Sequence, residues 1–460
     1  MNLAVHGLEG DIKEANTFYQ DEHTLVGKCD FVMANPPFNV DMVDAEKIDG
    51  DKRLPFGLPG VNKAKKVSNA NYLWISYFWS YLNETGRAGF VMSSQASSAG
   101  HGEKEVRRKI VQTGDVDVMI AIRSNFFYTR TVPCELWFFD RGKPKARRDQ
   151  VLMLDARNVH RKVTRKIYDF SPEQLANLTA IVWLYRGLSD RFLGLVRDYF
   201  GSICNECAAI GPALEAFDEA TDTIADHLST FAKATNGLDG VDAAKHRALA
   251  DAIKELTDTT DAYVSDRDKL GRAIAKYRKT ACKLLPTTNT AQHKARKAFD
   301  PIAEEMRDLA KQADLIYKIA ARARDAAVEL AGDQTAAEHF NRRELTKLIK
   351  ELDDMRKAAV EQLRLARYFH RQVIWLQDRF PDARLVDVPG LVKVVTQDDI
   401  EQADWSLTPG RYVGVAPPEE DEDFDFEQTI RDIHVELADL NQEAAQFAKT
   451  IQANFEELGV

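Results

Sequence analysis

The sequence contains no apolar run approaching the roughly 20 residues that cross a bilayer, and its first residues carry no signal-peptide pattern. A soluble cytoplasmic protein without a membrane partner is therefore expected. Five cysteines in 460 residues are too few for a disulfide framework and suit a reducing compartment. Cys204-x-x-Cys207 has no second pair at zinc-ribbon spacing, and the 10 histidines show no ligand spacing, so no metal site is expected. Both cysteines read as buried or incidental. Strand signals are nearly missing from residues 212–378, which excludes an α/β pattern there and leaves helices.

Positive charge is outnumbered overall, but not everywhere. Residues 1–200 carry 28 Lys and Arg against 24 Asp and Glu, a balance of +4, whereas residues 201–460 carry 34 against 48, a balance of −14, giving the net −10. Local rather than net charge attracts phosphates, so nucleic-acid binding by the first part is compatible with this balance. The second part is not expected to be mainly a DNA-coating surface.

What is present is best read around Cys29-Asp30-Phe31-Val32-Met33-Ala34-Asn35-Pro36-Pro37-Phe38. Phe31 to Ala34 predict a strand buried on both faces, as in a parallel sheet covered by helices. Pro36 and Pro37 lack ladder donors and fix φ, so the strand must stop there. Asn35, which offers both a donor and an acceptor, is then left at the carboxyl end of a strand, where open α/β sheets bind ligands. Phe38 adds an aromatic face beside it, a pairing suited to a flat base with an exocyclic amine.

Along the chain, residues 39–68 read as a long functional or mobile loop, followed by a helix over 70–82. Strands are predicted at 86–92, 116–122, 135–139 and 151–155, with a helix at 103–112 between the first two. Strands alternating with helices give a doubly wound α/β domain. Breaks at Asn236-Gly237, Pro286, Pro301 and Gly332 divide the helical region. Its last helix, about 336–380, is long enough for a coiled-coil-like hairpin. An acidic linker, 419–425, precedes a heptad seam of Phe426, Ile430, Ile433, Leu437, Leu440, Ala444, Phe447 and Ile451, which wants a partner helix, in its own chain or another.

Asn-Pro-Pro-Phe at a strand end resembles the catalytic loop of amino-methyltransferases acting on adenine N6 in DNA. With Asn2-Leu3, His6-Gly7, Asn69-Ala70-Asn71-Tyr72-Leu73-Trp74, Gly86-Arg87-Ala88-Gly89-Phe90-Val91 and the stretch Trp405 to Val413, the chain resembles the modification subunit of type I restriction-modification systems. The resemblance covers residues 1–172 and about 385–460. It implies a partial Rossmann-like, S-adenosylmethionine-dependent methyltransferase domain over 1–172, a helical region over 173–380, a small mixed segment over 381–418, and the acidic linker and heptad helix over 419–460.

The same resemblance implies adenine-N6 methylation of DNA, with Asn35 and the Pro36 carbonyl accepting the two amine protons, Pro37 stiffening the turn and Phe38 stacking on the flipped base. Phe127 and Tyr128 match an aromatic that completes the target-base pocket. Asn16 stands where the family has an acidic residue near the cofactor adenine, and Asn35 also borders the cofactor. The family's cofactor glycine loop is not found; Gly57-x-x-Gly60 follows no strand. The chain therefore reads as truncated at its amino end, and this polypeptide alone is not expected to bind S-adenosylmethionine tightly. Lys143, Lys145, Arg147 and Arg148, and likewise Arg161, Lys162, Arg165 and Lys166, are candidates for DNA phosphate contacts. The implied partners are DNA, a specificity subunit, a second modification subunit and a restriction subunit. The alternative is a non-catalytic assembly subunit derived from such an enzyme.

Overall fold

The computed structural model describes residues 5–126, 131–164 and 167–416, together with 430, 433, 437, 441 and 444–452. Met1–Gly414 and Val415–Val460 form two compact units. In the first, the strands are β1 (Cys29–Ala34), β2 (Val43–Asp44), β3 (Lys66–Val67), β4 (Leu82–Ser93), β5 (Val116–Ile122), β6 (Cys134–Asp140), β7 (Gln150–Asp155), β8 (Arg161–Thr164), β9 (Ile167–Asp169) and β10 (Val392–Thr396). The longer helices are α1 (Asn71–Tyr81), α2 (His101–Gln112), α3 (Pro172–Tyr185), α4 (Ser189–Thr235), α5 (Ala243–Tyr277), α6 (Asn289–Leu330) and α7 (Arg342–Arg379). The α/β fold with long helices is the one expected.

Six strands make one mixed sheet in the order β1-β4-β6-β5-β7-β10. β1 runs parallel to β4 and β5 parallel to β7, whereas β6 and β10 run against their neighbours. Because strand side chains alternate between faces, each strand serves two cores. Phe90, Met92, Trp137, Phe139, Met119 and Met153 pack with Tyr72, Ile75 and Phe78 of α1 and Val106 and Ile110 of α2. Val118, Ile120, Ile122, Leu152 and Leu154 belong instead to the core that continues into the helical region. Every residue of β5 is buried, as befits a strand covered on both sides.

β1 departs from the expectation of a buried strand. It pairs with β4 alone and forms the edge of the sheet. Val32 and Ala34 pack on the α1–α2 side, but Phe31 and Met33 are 75% and 90% exposed. A short apolar run does not reveal whether both faces are covered, and here one is open.

Residues 39–68 are also more ordered than a loop. β2 and β3 pair, a short turn of helix spans Ala45–Ile48, and Val43, Ile48, Leu54 and Val67 build a small core with Leu73 and Tyr77 of α1. Arg53, almost fully buried, fixes this lobe. Its guanidinium grips both oxygens of Asp51, donates to the carbonyls of Thr17, Gln20 and Phe18, and lies 4.3 Å from the centre of the Tyr77 ring. A buried charge is tolerable when its donors are satisfied in this way.

In the helical region α4 packs along α7 and α5 along α6. Breaks fall near Asn236, Pro286 and Gly332 as predicted, but Pro301 lies inside α6, and Pro212 inside α4. Each proline removes one backbone hydrogen bond; burial of Phe299, Ile302 and Met306 around Pro301 outweighs that loss. Cys204 of α4 is disulfide-bonded to Cys282, just beyond α5, with Cα atoms 5.7 Å apart. This corrects the expectation of unpaired cysteines: the fold brings together residues 78 apart in sequence, which local spacing could not show. Cys207 stays free and buried.

After α7 the chain returns to the sheet. β10, assigned by sequence to a small mixed segment, pairs antiparallel with β7, with Val394 opposite Leu152. In the second unit the described residues from 430 onward are helical, and Ile430, Ile433, Leu437, Phe447 and Ile451 are exposed; Phe426 and Leu440 lie outside the described residues. Among the described residues no helix is long and apolar enough to cross a membrane.

Candidate functional site

Asn35 follows the last residue of β1 and is exposed. Its amide has no partner among the described residues, as a group reserved for a ligand requires. Pro36 is buried, Pro37 exposed and Phe38 half-buried against the core that runs into the helices. The turn is thus anchored by its second and fourth residues while its first presents a free amide.

Three further asparagines hold that turn. Asn39 adopts φ 54°, a left-handed conformation that asparagine tolerates better than most residues. Its backbone N–H donates to Asn71 Oδ1 at 2.9 Å, and its own Oδ1 accepts from Asn71 Nδ2 at 2.8 Å and Asn69 Nδ2 at 3.1 Å. Asn69 Oδ1 in turn accepts the backbone N–H of Asn71 at 2.9 Å, and Ala70 N–H donates to the Val40 carbonyl. The start of α1 is therefore tied directly to the residue after Phe38. Asn71 is buried, so its two bonds to Asn39 are partly shielded from water, whereas the Asn69 bond is exposed. The block Asn69 to Trp74 was visible in the sequence as part of the family pattern; its role as a clamp depends on pairing across 32 residues and was not.

The other predicted residues divide. Phe127, Tyr128, Arg165 and Lys166 lie outside the described residues. Asn16 is exposed and spends its side chain on its own turn: Oδ1 accepts from Phe18 N–H at 3.1 Å, while its carbonyl accepts from Tyr19 and Gln20. Gly57 and Gly60 have φ 89° and 84°, but Gly60 lies against Gly102 of α2, where a Cβ on Gly102 would come 2.6 Å from Gly60 N. These two glycines permit a close loop–helix approach rather than forming a cradle open to a ligand.

The basic cluster sits away from Asn35. Lys143 is buried, with Nζ donating to the carbonyls of Val116 and Gln150. Those residues begin β5 and β7, whereas Asn35 stands at the carboxyl end of the sheet. One strand length, roughly 20 Å, separates the two edges. Arg147 and Arg186 reach Asp117 at 3.3 and 2.7 Å, and Arg148 approaches Asp115 at 3.8 Å. Burial pushes the Lys143 ammonium down to about 8, against the pull of Asp117. Lys143, Arg147 and Arg148 lie beside carboxylates on the edge opposite Asn35, and Lys145 and Arg148 are exposed there. Arg161 is paired with Asp169 at 2.8 Å, and Lys162 lies beside it on β8. No group of three or more metal-ligating side chains occurs among the described residues.

The stretch Trp405 to Val413 closes over the carboxyl edge. The fully buried Arg107 of α2 donates to the Trp405 carbonyl at 2.5 Å and to Tyr72 Oη at 3.1 Å. Leu407 N–H donates to the Ser97 carbonyl, and the hydroxyls of Ser97 and Thr408 are 2.6 Å apart. Nearly 300 residues of intervening chain separate these partners, so sequence alone shows a motif without its location.

Residues 1–191 match the model of the N-6 DNA methylase family. The chain is 38% identical over 170 residues to the type I restriction enzyme MjaIX methylase subunit of Methanocaldococcus jannaschii, covering 36% of this chain and 30% of that one. It is 30% identical over 181 residues to the HindI methylase subunit of Haemophilus influenzae, covering 39% of each. The chain thus spans between three-tenths and two-fifths of the length of these relatives. A type I restriction-modification methyltransferase subunit from Streptococcus thermophilus superposes with a TM-score of 0.35 at 19% identity, over 39% of this chain and 37% of that one. Residues 1–191, which carry Asn35 and its asparagine clamp, are thus similar to the N-6 DNA methylase family and to type I restriction enzyme methylase subunits.

Proposed function

We propose that this chain is the modification subunit of a type I restriction-modification system and transfers a methyl group from S-adenosylmethionine to adenine N6 in DNA. The observation that carries the reading is the free amide of Asn35, exposed at the end of β1 on a turn clamped by Asn39, Asn69 and Asn71. The N6 lone pair of adenine is delocalised into the ring and is a poor nucleophile. Asn35 Oδ1 and the Pro36 carbonyl would accept the two N6 protons, drawing the nitrogen towards tetrahedral geometry and stabilising the positive charge that develops on it. Phe38, with one side anchored in the core, would offer its remaining face to the flipped base, and Phe127 and Tyr128 are the proposed partners in that pocket.

S-adenosylmethionine supplies an electrophilic methyl group when bound. The described residues do not fit it unaided, because Asn16 is committed to its own turn and Gly57 and Gly60 to a loop–helix contact. The specificity subunit would choose the target sequence and dock the exposed seam of Ile430, Ile433, Leu437, Phe447 and Ile451; a second modification subunit and a restriction subunit complete the assembly, in the cytoplasm.

The test is Asn35→Ala in the reconstituted assembly, with tritiated methyl transfer to DNA as readout. Loss of about a hundred- to a thousandfold in rate is expected for removing a preorganised polar contact to the reacting group, with assembly intact by sedimentation. Undiminished methylation rejects the assignment. Absence of methylation by the unaltered chain in the same assembly favours the non-catalytic assembly subunit.

A further inference from the structure

Two strands from Asn35, on the same carboxyl edge of the sheet, lies a cavity of about 320 Å³. That volume is at the low end for small-molecule sites. Ile122 and Pro133 give it apolar walls, and Ser94, Gln95 and Ser98 add polar atoms. Glu135, at the start of β6 and opposite Met92 of β4, also lines it. Its side chain is 1% exposed, and Oε2 has no hydrogen-bond partner among the described residues. An unsatisfied buried carboxyl oxygen costs on the order of 1–3 kcal/mol, and here it borders an opening large enough for a partner.

The neighbours do not meet that need. The Ser97 hydroxyl is engaged with the Ser94 carbonyl at 2.9 Å and with Thr408 at 2.6 Å. Arg157 is held in a two-point grip on Asp155. Gly410 closes the wall: a Cβ there would stand 2.7 Å from Arg157 Nη2. The charged and titratable groups around Glu135 are Arg157, Asp155, Cys134 and Tyr72. Burial raises the Glu135 carboxyl to about 8; Ser97 and Arg157 act in the opposite sense without prevailing, and Asp155 adds to the rise. Burial also lifts the Cys134 thiol to about 11 and Tyr72 above the ordinary tyrosine range, so neither changes charge near neutrality. A protonated carboxyl presents an O–H donor beside a C=O acceptor.

We propose that this cavity is a second base-binding site, in which Glu135 pairs with the edge of a nucleobase where a donor and an acceptor adjoin. The estimated separation from Asn35, about 10 Å for two strand spacings, makes it distinct from the turn that would hold the methylated base. The binding does not depend on the methyl-transfer reading; only its source, a base of the same DNA rather than a free nucleoside, rests on it.

Saturation-transfer NMR on the full chain tests the site, using as probe 2′-deoxycytidine, which offers an adjoining donor and acceptor but lacks the adenine ring that the Asn35 turn would take. Binding is expected at pH 6.5 and should weaken about tenfold by pH 9, one unit above the titration of Glu135. Glu135→Gln offers the same donor–acceptor pair at every pH and should bind equally at both. Glu135→Leu should not bind, and Asn35→Ala should bind as the parent does. Competition by a single-stranded oligonucleotide assigns the site to a DNA base, and its failure to compete assigns it to a free nucleoside. Absence of nucleoside binding, binding that survives Glu135→Leu, or loss in a folded Glu135→Gln protein with an unchanged melting curve overturns the proposal. Because Asn35→Ala abolishes methylation but not this binding, the two readings fail separately.

Discussion

Asp117→Asn is the sharpest test of how the far edge of the sheet is held together. The carboxylate is fully buried and faces Arg186 at 2.7 Å, Arg147 at 3.3 Å and Lys143 at 3.9 Å. The amide has nearly the same volume, so packing is unchanged and the effect is electrostatic. Losing the charge-assisted bond to Arg186 costs about 1.5–3 kcal/mol. Lys143 adds a bounded amount. Its ammonium titrates at about 8 in the fold, so at pH 7 a further penalty is limited to about 1 kcal/mol, beyond which it sheds its proton. The expected loss is therefore about 2.5–4 kcal/mol, overlapping the range for breaking a buried pair. Urea denaturation followed by tryptophan fluorescence measures it, and shielding from solvent makes the loss insensitive to added salt. The sign with pH is also fixed. Lys143 binds its proton less tightly folded than unfolded, so its contribution improves as pH rises from about 8 towards the unfolded value near 10.4; Lys143→Met should remove that slope. A loss under 1 kcal/mol for Asp117→Asn, or one that halves in 0.5 M salt, refutes the reasoning.

Asn71→Ala removes two bonds of the asparagine clamp and should lower methylation by the assembly about 10- to 100-fold, with global stability reduced by about 2 kcal/mol; unchanged turnover would show that the turn after Phe38 needs no fastening. Glu135, raised in the fold from about 4.3 to about 8, binds its proton more tightly folded than unfolded. Its contribution is complete below about pH 4.3 and lost as pH rises through 8, so Glu135→Gln should flatten that part of the stability profile measured by urea titration, and an unaltered profile counts against a protonated carboxyl. Alkylation of denatured, unreduced protein should label three thiols, and Cys204→Ser should cost on the order of 4 kcal/mol for a loop of this length; five labelled thiols would show the bond does not form.

The strands and the first two long helices of the α/β unit were legible because each is a compact apolar pattern bounded by turn residues. Asn35 was legible for the same reason, since two prolines leave no other end for β1. What escaped depended on position across the sheet. Phe31 and Met33 have the composition of a covered strand, and only strand order shows them at an edge. Lys143, Arg147 and Arg148 have the composition of a phosphate-binding turn, and only strand direction sends them to the edge opposite Asn35. Pro301 looked like a break because local rules favour one, yet the core around Phe299 and Met306 overrides them. Glu135 gave no signal at all: a single acid within Cys134-Glu135-Leu136-Trp137 becomes unusual only once its burial is known.

The return of β10 to β7 carries a consequence for how the chain comes off the ribosome. β7 ends at Asp155, and its antiparallel partner begins at Val392, so the outer edge of the sheet stays open while the whole helical region is synthesised. Pairing over such a distance in sequence is slow, because loop closure must precede any gain from the contact. The helices can pair with one another meanwhile, and in doing so they shorten the effective span between the two strands. An exposed strand edge is a template for wrong partners. A chain cleaved or stalled between α7 and β10 would therefore be expected to aggregate through β7, even with Asn35 and every clamp residue in place.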